Sequence, residues 1–276
     1  MKVKIDLTKS AQDNAKDYFE RAKKARHKKI GAQATIKDLE KRLKSREIEA
    51  YAKQKKNEVR EIAKKEWYEK FRWFFTSSGE LAIGGRDAMQ NETLNSKYFE
   101  DNDLFFHADI FGASVVILKN GKNSPAGARM EVAQFAACHS RAWEQATGIV
   151  NVYAMRREQV SKSKARGSLG TGSFLLEGER EWYRNMPLEL SAFERQKPVA
   201  NEGEAQTYIA INPALTRDAL GITRSLSITS GNSKKSDAAK KIASFFKSDN
   251  IDYLMQALPA GKFSIVQKAN ASSKSF

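Results

Sequence analysis

The sequence predicts an α+β protein, in which a mixed or antiparallel sheet domain with packed helices follows a helical coiled-coil hairpin. Three observations support this fold class. Residues 10–70 contain no proline and one glycine, Gly31. From residue 71 onward, aromatic and β-branched segments separated by glycine-containing turns replace that pattern. The expected strands come in clusters without regular alternation with helices, which favours α+β over a doubly wound parallel sheet.

Residues 1–70 form the predicted hairpin arm. The arm is rich in Lys, Glu, Ala, Gln and Arg, a composition typical of long solvated helices. Apolar residues such as Ile36, Leu39 and Leu43 recur sparsely at three- and four-residue spacing, which indicates a thin coiled-coil seam. The turn is expected near residues 44–47, where the seam loses its phase. The arm either acts as a spacer or contacts RNA, and the two roles are compatible.

Residues 71–276 form the predicted globular domain, which opens with a strand hairpin around a Ser-Ser-Gly turn. Strands are expected at 73–76, 81–83, 104–107, 114–118, 149–154, 174–176, 208–211, 226–228 and 264–266. Helices are expected at 129–147, where Gly148 provides a left-handed cap, and at 236–247 and 251–257.

Charge indicates the class of partner. The formal net charge is +15, and residues 1–70 hold 22 Lys and Arg against 12 Asp and Glu. Such a field attracts polyanions, so nucleic acid is the expected partner. The single cysteine, Cys138, excludes an internal disulfide and a cysteine-based zinc cage. No secretory signal or membrane-spanning apolar run is visible, and we expect a cytoplasmic protein without cofactor, metal or membrane contact.

The segment FFHADIFGASVVI, residues 105–117, brings His107 and Asp109 onto one face of a strand end. A metal site or an acid/base pair is one interpretation, although either needs further partners that this sequence supplies sparsely. The favoured interpretation is a strand end whose polar groups orient a loop, with Gly112 allowing a tight turn or a close approach. His139, beside an apolar stripe, is expected to be a buried histidine with its hydrogen bonds satisfied.

Two further segments could contact RNA. In IGGRDAMQNE, residues 83–92, Gly84 and Gly85 expose backbone to a phosphate or to a neighbouring segment, while Arg86 suits phosphate and Asp87 could clamp it. A glycine-rich cationic loop follows at residues 158–174, and it lacks the Gly-Lys-Ser/Thr ending of a nucleotide-binding loop. That loop suits an RNA backbone or is a mobile surface loop. Its cations, and those before a later helix, are Lys162, Lys164, Arg166, Lys234 and Lys235.

Several segments, in order, resemble the C-terminal RNA-binding (NFACT-R) domain of the NFACT family. They are WFFTSSGELAIGGRDAMQNE, FFHADIFGASVVI, AQFAACHSRAW, EQVSK and TGSFLLEG. IDLTKSAQDNAKDYFERAKK similarly resembles the start of that family's middle coiled coil. The family's N-terminal domain and helix-hairpin-helix segment have no counterpart here, which implies a natural split member or a piece of a longer chain.

The resemblance implies a factor in ribosome quality control that binds a stalled large ribosomal subunit with its peptidyl-tRNA, and no chemical active site in this half. Expected partners are rRNA of the large subunit, tRNA and a separate chain carrying the NFACT N-terminal half. The RNA-binding positions that the resemblance implies are Gly84, Gly85, Arg86, Asp87, Asn91, His107, Asp109, Gly112, Ser161, Lys162, Thr171, Gly172 and Ser173.

Two alternatives come from other functional classes. One is a nucleic-acid-processing hydrolase that uses His107 and Asp109. The other is a coiled-coil scaffold that recruits protein partners, with incidental RNA binding.

Overall fold

The computed structural model describes residues 4–62, 66–162, 170–197 and 207–267, without the side chains at 45 and 47–62. The chain divides into two compact units, Met1–Glu66 and Trp67–Phe276. No helix among the described residues is both long enough and apolar enough to cross a membrane.

The first unit contains one long helix, α1 (Ala11–Ile62). The predicted hairpin is therefore wrong, because the chain does not turn at residues 44–47. Ser10 starts the helix by accepting the N–H of Asp13 at 3.1 Å and donating to its carboxylate at 2.6 Å. Helix α1 contains no proline, and Ile36, Leu39 and Leu43 are all exposed. Because these described seam residues are not buried within the unit, the loss of phase after them does not force a turn, and helix propensity prevails.

The second unit confirms the α+β class. Its described residues form two antiparallel sheets of six and four strands and a two-stranded ribbon. The strands are β1 (Arg72–Phe75), β2 (Leu81–Gly84), β3 (Leu104–Ala108), β4 (Val116–Leu118), β5 (Ile149–Arg156), β6 (Val160–Ser161), β7 (Leu175–Leu176), β8 (Glu181–Pro187), β9 (Glu189–Gln196), β10 (Thr207–Pro213), β11 (Leu226–Ser233) and β12 (Phe263–Gln267). The remaining α-helices of the described residues are α2 (Ala88–Thr93), extended by a π-helical turn at Leu94–Tyr98, α3 (Ala126–Cys138), α4 (Arg141–Glu144), α5 (Ala214–Ala219), α6 (Lys235–Phe246) and α7 (Ile251–Ala257).

The larger sheet has the order β1-β2-β4-β3-β5-β8, and the smaller has the order β10-β9-β11-β12. Helix α3 packs against both sheets, and its buried face forms the main core with residues such as Phe106, Phe135 and Ile211. The opposite face of the larger sheet forms a second, aromatic-rich cluster that includes Phe71, Phe105 and Tyr153. Along the strands of the larger sheet, side chains alternate between these two cores.

All the predicted strands are present, but β6, β8, β9, α2 and α5 were not predicted. The helix expected at 129–147 is two helices, because the Ser140 hydroxyl accepts the N–H of Ala142 at 3.2 Å and starts α4. Gly148 does have positive φ, at 77°, but it lies in the turn before β5. Strand β8 contains no continuous apolar run, because most of its residues are polar and exposed or only half-buried, so the apolar pattern does not predict it.

Candidate nucleic-acid interface

The segment from Gly84 to Asn91 turns out of β2 into α2, and close packing explains its glycines. A Cβ on Gly85 would lie 2.1 Å from Oδ1 of Asn91, and one on Gly84 would lie 3.3 Å from the ring of Phe135. Asn91 is buried, and its Oδ1 accepts the N–H of Val115 at 3.1 Å. Of the two alternatives for this glycine pair, the structure favours a neighbouring segment over an exposed phosphate site.

Asp87 does not clamp Arg86, which corrects the expected ion pair. Its carboxylate accepts the N–H of Gln90 at 2.8 Å and caps α2. A carboxylate in extended backbone before a helix satisfies a free N–H of the first turn, and that contact competes with the neighbouring guanidinium. Arg86 is left free to reach elsewhere.

Arg86 meets two other cations, and we call Arg72, Arg86 and Lys235 the cationic cluster. Each of Arg72 and Arg86 donates to the backbone carbonyl of the residue that precedes the other. The Arg72 guanidinium donates to the carbonyl of Gly85 at 2.6 Å, and the Arg86 guanidinium donates to the carbonyl of Phe71 at 3.1 Å.

Lys235, in the first turn of α6, is distant in sequence from the two arginines but lies close to them in the fold. Its ammonium group donates to the carbonyl of Leu258 at 2.9 Å, while Arg86 also donates to Gln256 at 3.2 Å, two residues earlier. Neighbouring acceptors thus hold Arg86 and Lys235 together. Lys234 precedes Lys235 and is exposed at the N-cap position.

No member of the cationic cluster forms an ion pair with a carboxylate in the part of the chain that the structure describes. The Nε atoms of Arg72 and Arg86 are buried without a hydrogen-bond partner. Lysines also begin α6 at its positive end, where the helix dipole disfavours cations. The cluster therefore has buried donors without partners and a surplus of positive charge, which the nearby Asp87 carboxylate offsets only in part.

The cluster's charges affect one another's protonation. Burial, followed by the charges of Arg72 and Arg86, lowers the pKa of Lys235 to about 8. Burial, with repulsion from Arg86, also lowers the pKa of Arg72. His139 is buried nearby with both ring nitrogens unpartnered, so the expectation of satisfied hydrogen bonds is wrong for this histidine. Burial, and then the charges of all three cations, lowers its pKa and keeps the ring neutral.

The predicted cationic loop packs against the other predicted segment. A Cβ on Gly172, whose φ is 77°, would lie 2.8 Å from the Cβ of Ala88 in α2. The carboxylate of Glu92 accepts from the Lys162 ammonium at 2.8 Å and from the Gly172 N–H at 3.3 Å. Glu92 thus binds residues at both described ends of the loop and neutralises Lys162. Ser161 is half-buried in β6, Thr171 and Ser173 are exposed, and Lys164 and Arg166 lie outside the described residues.

His107 and Asp109 lie at the end of β3 in a setting that suits a structural role. The Nδ1 atom of His107 is 3.3 Å from the hydroxyl of Tyr153, and burial lowers the pKa of this histidine. Asp109 is exposed, and its backbone N–H donates to the carbonyl of Asn151 at 2.8 Å. Among the described residues, no group of three or more His, Cys, Asp and Glu could hold a metal ion.

Gly112 turns this loop with a φ of 77° and faces the side chain of Arg141. Two residues later, the Ser114 hydroxyl accepts from Arg72 at 3.1 Å. The loop after β3 therefore borders the cationic cluster.

The fold brings together most of the residues that the sequence indicated. Arg86 and Lys235 meet in the cationic cluster, while Lys162 and Gly172 pack on α2 beside the same turn. Sequence reasoning missed Arg72. Only the pairing of β1 with β2, which places Arg72 opposite Gly84, indicates that Arg72 lies beside Arg86.

Comparison with known proteins gives a consistent result. Residues 70–178 match the NFACT protein RNA binding domain. "Archaeal Rqc2 homolog aRqcH" of Methanocaldococcus jannaschii is 34% identical over 224 residues, 80% of this chain and 32% of that protein. "Ribosome quality control complex subunit NEMF homolog" of Drosophila melanogaster is 38% identical over 189 residues, 65% of this chain and 18% of that protein. This chain therefore spans about a third or less of the length of these relatives.

A solved structure, that of the C-terminal part of the fibronectin/fibrinogen-binding protein from Streptococcus suis, is 20% identical to this chain. It matches with a TM-score of 0.37, over 42% of this chain and 45% of that one.

Proposed function

Because this chain belongs to the NFACT family, we propose that it is an RNA-binding component of ribosome-associated quality control. In this proposal it docks on the large ribosomal subunit that still carries peptidyl-tRNA after a stall, and it contacts both rRNA and tRNA. It acts in the cytoplasm as a binding module and performs no chemical step.

The observation that carries the proposal is the cationic cluster. Arg72, Arg86 and Lys235 converge without a direct ion pair to a carboxylate of the described residues, and the charge of Asp87 offsets theirs only in part. Holding like charges together in a folded protein costs free energy unless an anion relieves their repulsion. Arg86 and Lys235 are partly exposed, and a phosphate of the RNA backbone suits their accessible N–H groups, since guanidinium groups bind phosphate oxygens in a fixed planar geometry.

The remaining predicted positions have supporting roles in this proposal. Gly84, Gly85, Asp87 and Asn91 shape the turn that presents Arg86. Glu92, Lys162 and Gly172 hold the loop of residues 170–173 beside that turn, where Thr171 and Ser173 are exposed to a ligand. We propose that Lys234 adds a further phosphate contact and that His107, Asp109 and Gly112 position the loop that leads to Ser114.

Sedimentation of a cell extract tests the proposal. The tagged chain is expected to migrate with free large ribosomal subunits, and sequencing of its crosslinked RNA is expected to recover rRNA and tRNA. Arg86→Ala combined with Lys235→Ala should move the chain toward the top of the gradient. Arg224→Ala combined with Lys240→Ala is the matched control, because it also removes two positive charges from the second unit.

Two results would contradict the proposal. One is a wild-type chain that stays at the top of the gradient at near-physiological salt. The other is an equal loss of ribosome association in the double variant and in its matched control, since general charge and not the cluster would then account for binding.

A second candidate function rests on the exposed apolar seam of α1. Ile36, Leu39 and Leu43 remain 52–59% exposed at three- and four-residue spacing, the pattern of a helix whose partner is another helix. We propose that the partner is a helix of a separate chain carrying the NFACT N-terminal half. Leu39→Lys should abolish co-purification of such a chain, and its retention would count against this partner.

A further inference from the structure

Strand β8 carries an alternating Arg-Trp-Arg pattern that none of the predicted RNA-binding positions includes. Arg180 precedes the strand, and Trp182 and Arg184 lie within it, so residues two apart share one face. In the described part of the chain β8 is the last strand of the larger sheet and pairs only with β5. Arg180 and Arg184 are exposed and Trp182 is half-buried, so this face is accessible to a ligand.

The strand register extends Trp182 into a line of rings across three strands. His107 in β3 lies opposite Tyr153 in β5, which lies opposite Trp182 in β8. The ring centroids are 5.8 Å apart for His107 and Tyr153, and 5.5 Å apart for Tyr153 and Trp182. We call these three residues, with Arg180 and Arg184, the arginine–aromatic row.

Both arginines lie over rings of the row at cation–π distance. The Arg180 guanidinium carbon lies 4.5 Å from the ring centroid of Tyr153, and that of Arg184 lies 4.3 Å from the ring centroid of Trp182. A guanidinium that contacts an aromatic ring at this distance and is exposed on its other side has N–H groups available to a ligand. Such a plane can stack on a second flat, electron-rich ring and can also donate to phosphate.

The charge of the row is not neutralised at its β8 end. Neither Arg180 nor Arg184 forms an ion pair with a carboxylate of the described residues. Glu181 points to the opposite face of the strand, where it lies 3.4 Å from Arg129 and accepts from the Tyr183 hydroxyl at 2.5 Å. Asp109 is exposed beside the β3 end of the row, so the cationic part of the row is confined to β8.

Tyr153 is buried and His107 is largely so, and they support the accessible end of the row. We propose that this end, formed by Arg180, Trp182 and Arg184, stacks unpaired bases of single-stranded RNA. The inference rests on the proposed function, which it refines by naming the form of RNA that this face recognises. A double helix hides the faces of its bases, whereas loops and single-stranded ends offer them to aromatic rings and arginine planes. The cationic cluster, by contrast, offers only phosphate contacts.

A binding assay with two RNA probes tests the row. One probe is a single-stranded RNA 10-mer containing 2-aminopurine, whose fluorescence is quenched when the base stacks. The other is a blunt RNA duplex of the same length. The wild-type chain should quench the first probe. Arg184→Ala should weaken single-strand binding by about tenfold, and Arg184→Lys should weaken it nearly as much because it keeps the charge but loses the planar stack.

Arg224 provides the matched control. It is also exposed and also stacks on a ring, with its guanidinium carbon 5.2 Å from the ring centroid of Phe245, but it lies outside the row. Arg224→Ala and Arg224→Lys should leave single-strand binding and quenching unchanged. Duplex binding by Arg184→Lys should equal that of the wild-type chain.

The outcomes separate this inference from the proposed function. If the wild-type chain binds the duplex but does not quench the single-stranded probe, or if Arg184→Lys quenches as the wild type does, the row does not stack bases and the proposed function remains. If the wild-type chain binds neither probe nor structured rRNA and tRNA, both are overturned.

Discussion

Gly85 is the position in the candidate interface where an added methyl group has the clearest steric consequence. The new Cβ of Gly85→Ala would lie 2.1 Å from Oδ1 of the buried Asn91. Displacing Asn91 removes the acceptor of the Val115 N–H, and together the clash and the unsatisfied donor should cost at least about 2 kcal/mol. Denaturant unfolding measures this loss.

Gly127→Ala is the matched control for that prediction, since a Cβ there meets nothing within 4 Å and lies in α3. It should leave stability unchanged or raise it by about 0.5–1 kcal/mol. Equal stability of the Gly85 and Gly127 variants would mean that the segment from Gly84 to Asn91 is not packed as described.

Lys235 predicts a pH dependence of RNA binding. Its pKa is lowered to about 8 from 10.5, so the free protein loses this charge between pH 7.5 and 9. Bound phosphates would restore the proton. RNA affinity should therefore fall with rising pH in this window, with proton uptake on binding that calorimetry in two buffers detects. Lys235→Gln should bind more weakly at pH 7.5 and show a flatter profile.

The free energy of unfolding changes with pH in the opposite direction to RNA affinity: it should rise as Lys235 loses its proton. Because the folded pKa of Lys235 lies below the unfolded value, the unfolded chain binds more protons between pH 8 and 10.5. The cost of holding this charge in the cluster is present in full below pH 8 and is relieved as the pH rises.

A wild-type RNA affinity that does not change from pH 7.5 to 9 would remove Lys235 from the phosphate contacts.

At the scale of the element, a continuous α1 helix predicts a long distance between positions on either side of residues 44–47, whereas a hairpin predicts a short one. Spin labels on cysteines introduced at positions 33 and 58 are 25 residues apart, so their backbones should be about 37 Å apart in one helix. A turn at residues 44–47 would bring the same positions to about 10 Å. Cys138 is buried and should not react with the label.

Pulsed electron paramagnetic resonance measures that separation directly. A second pair at positions 14 and 39 serves as control, since both lie on the same side of residues 44–47 and should be about 37 Å apart in either structure. A short distance for the first pair alone would restore the hairpin.

For the whole molecule, the net charge of +15 predicts a steep dependence of RNA affinity on salt. If about six cations contact phosphates, affinity should fall by about 10³ between 50 and 200 mM salt. Replacing Lys23, Lys24, Lys28 and Lys29 on the exposed face of α1 by glutamine tests whether the arm takes part. The slope of log affinity against log salt should become shallower by about 3 if the arm contacts RNA.

Replacement of the same four lysines by arginine is the control, because it keeps the charges and should keep the slope. An unchanged slope in the glutamine variant would assign α1 to spacing or to the recruitment of a protein partner, and would leave phosphate contact to the second unit.

The tertiary structure decided which of the predicted residues meet. Local patterns predicted the strands from β1 to β5 and the family resemblance, because alternation, turn residues and motif order are properties of short segments. Asp87 shows the limit of such patterns. Its place beside Arg86 in the sequence predicts an ion pair, but its carboxylate caps the start of α2 instead. Arg72 and Trp182 show it again, because each acquires its partners only through the register of a sheet.

By itself, the sequence determined the α+β class, the strongly basic arm and the segments that resemble an NFACT RNA-binding domain. Only the tertiary structure decided that α1 is one helix, that Arg72, Arg86 and Lys235 share a cluster without an ion-paired carboxylate in the described part of the chain, and that His107 belongs to a row of rings. The physical reason is that propensity and charge are carried by neighbours along the chain. Unpaired charge and ring stacking, in contrast, depend on which distant residues the strand pairings bring together.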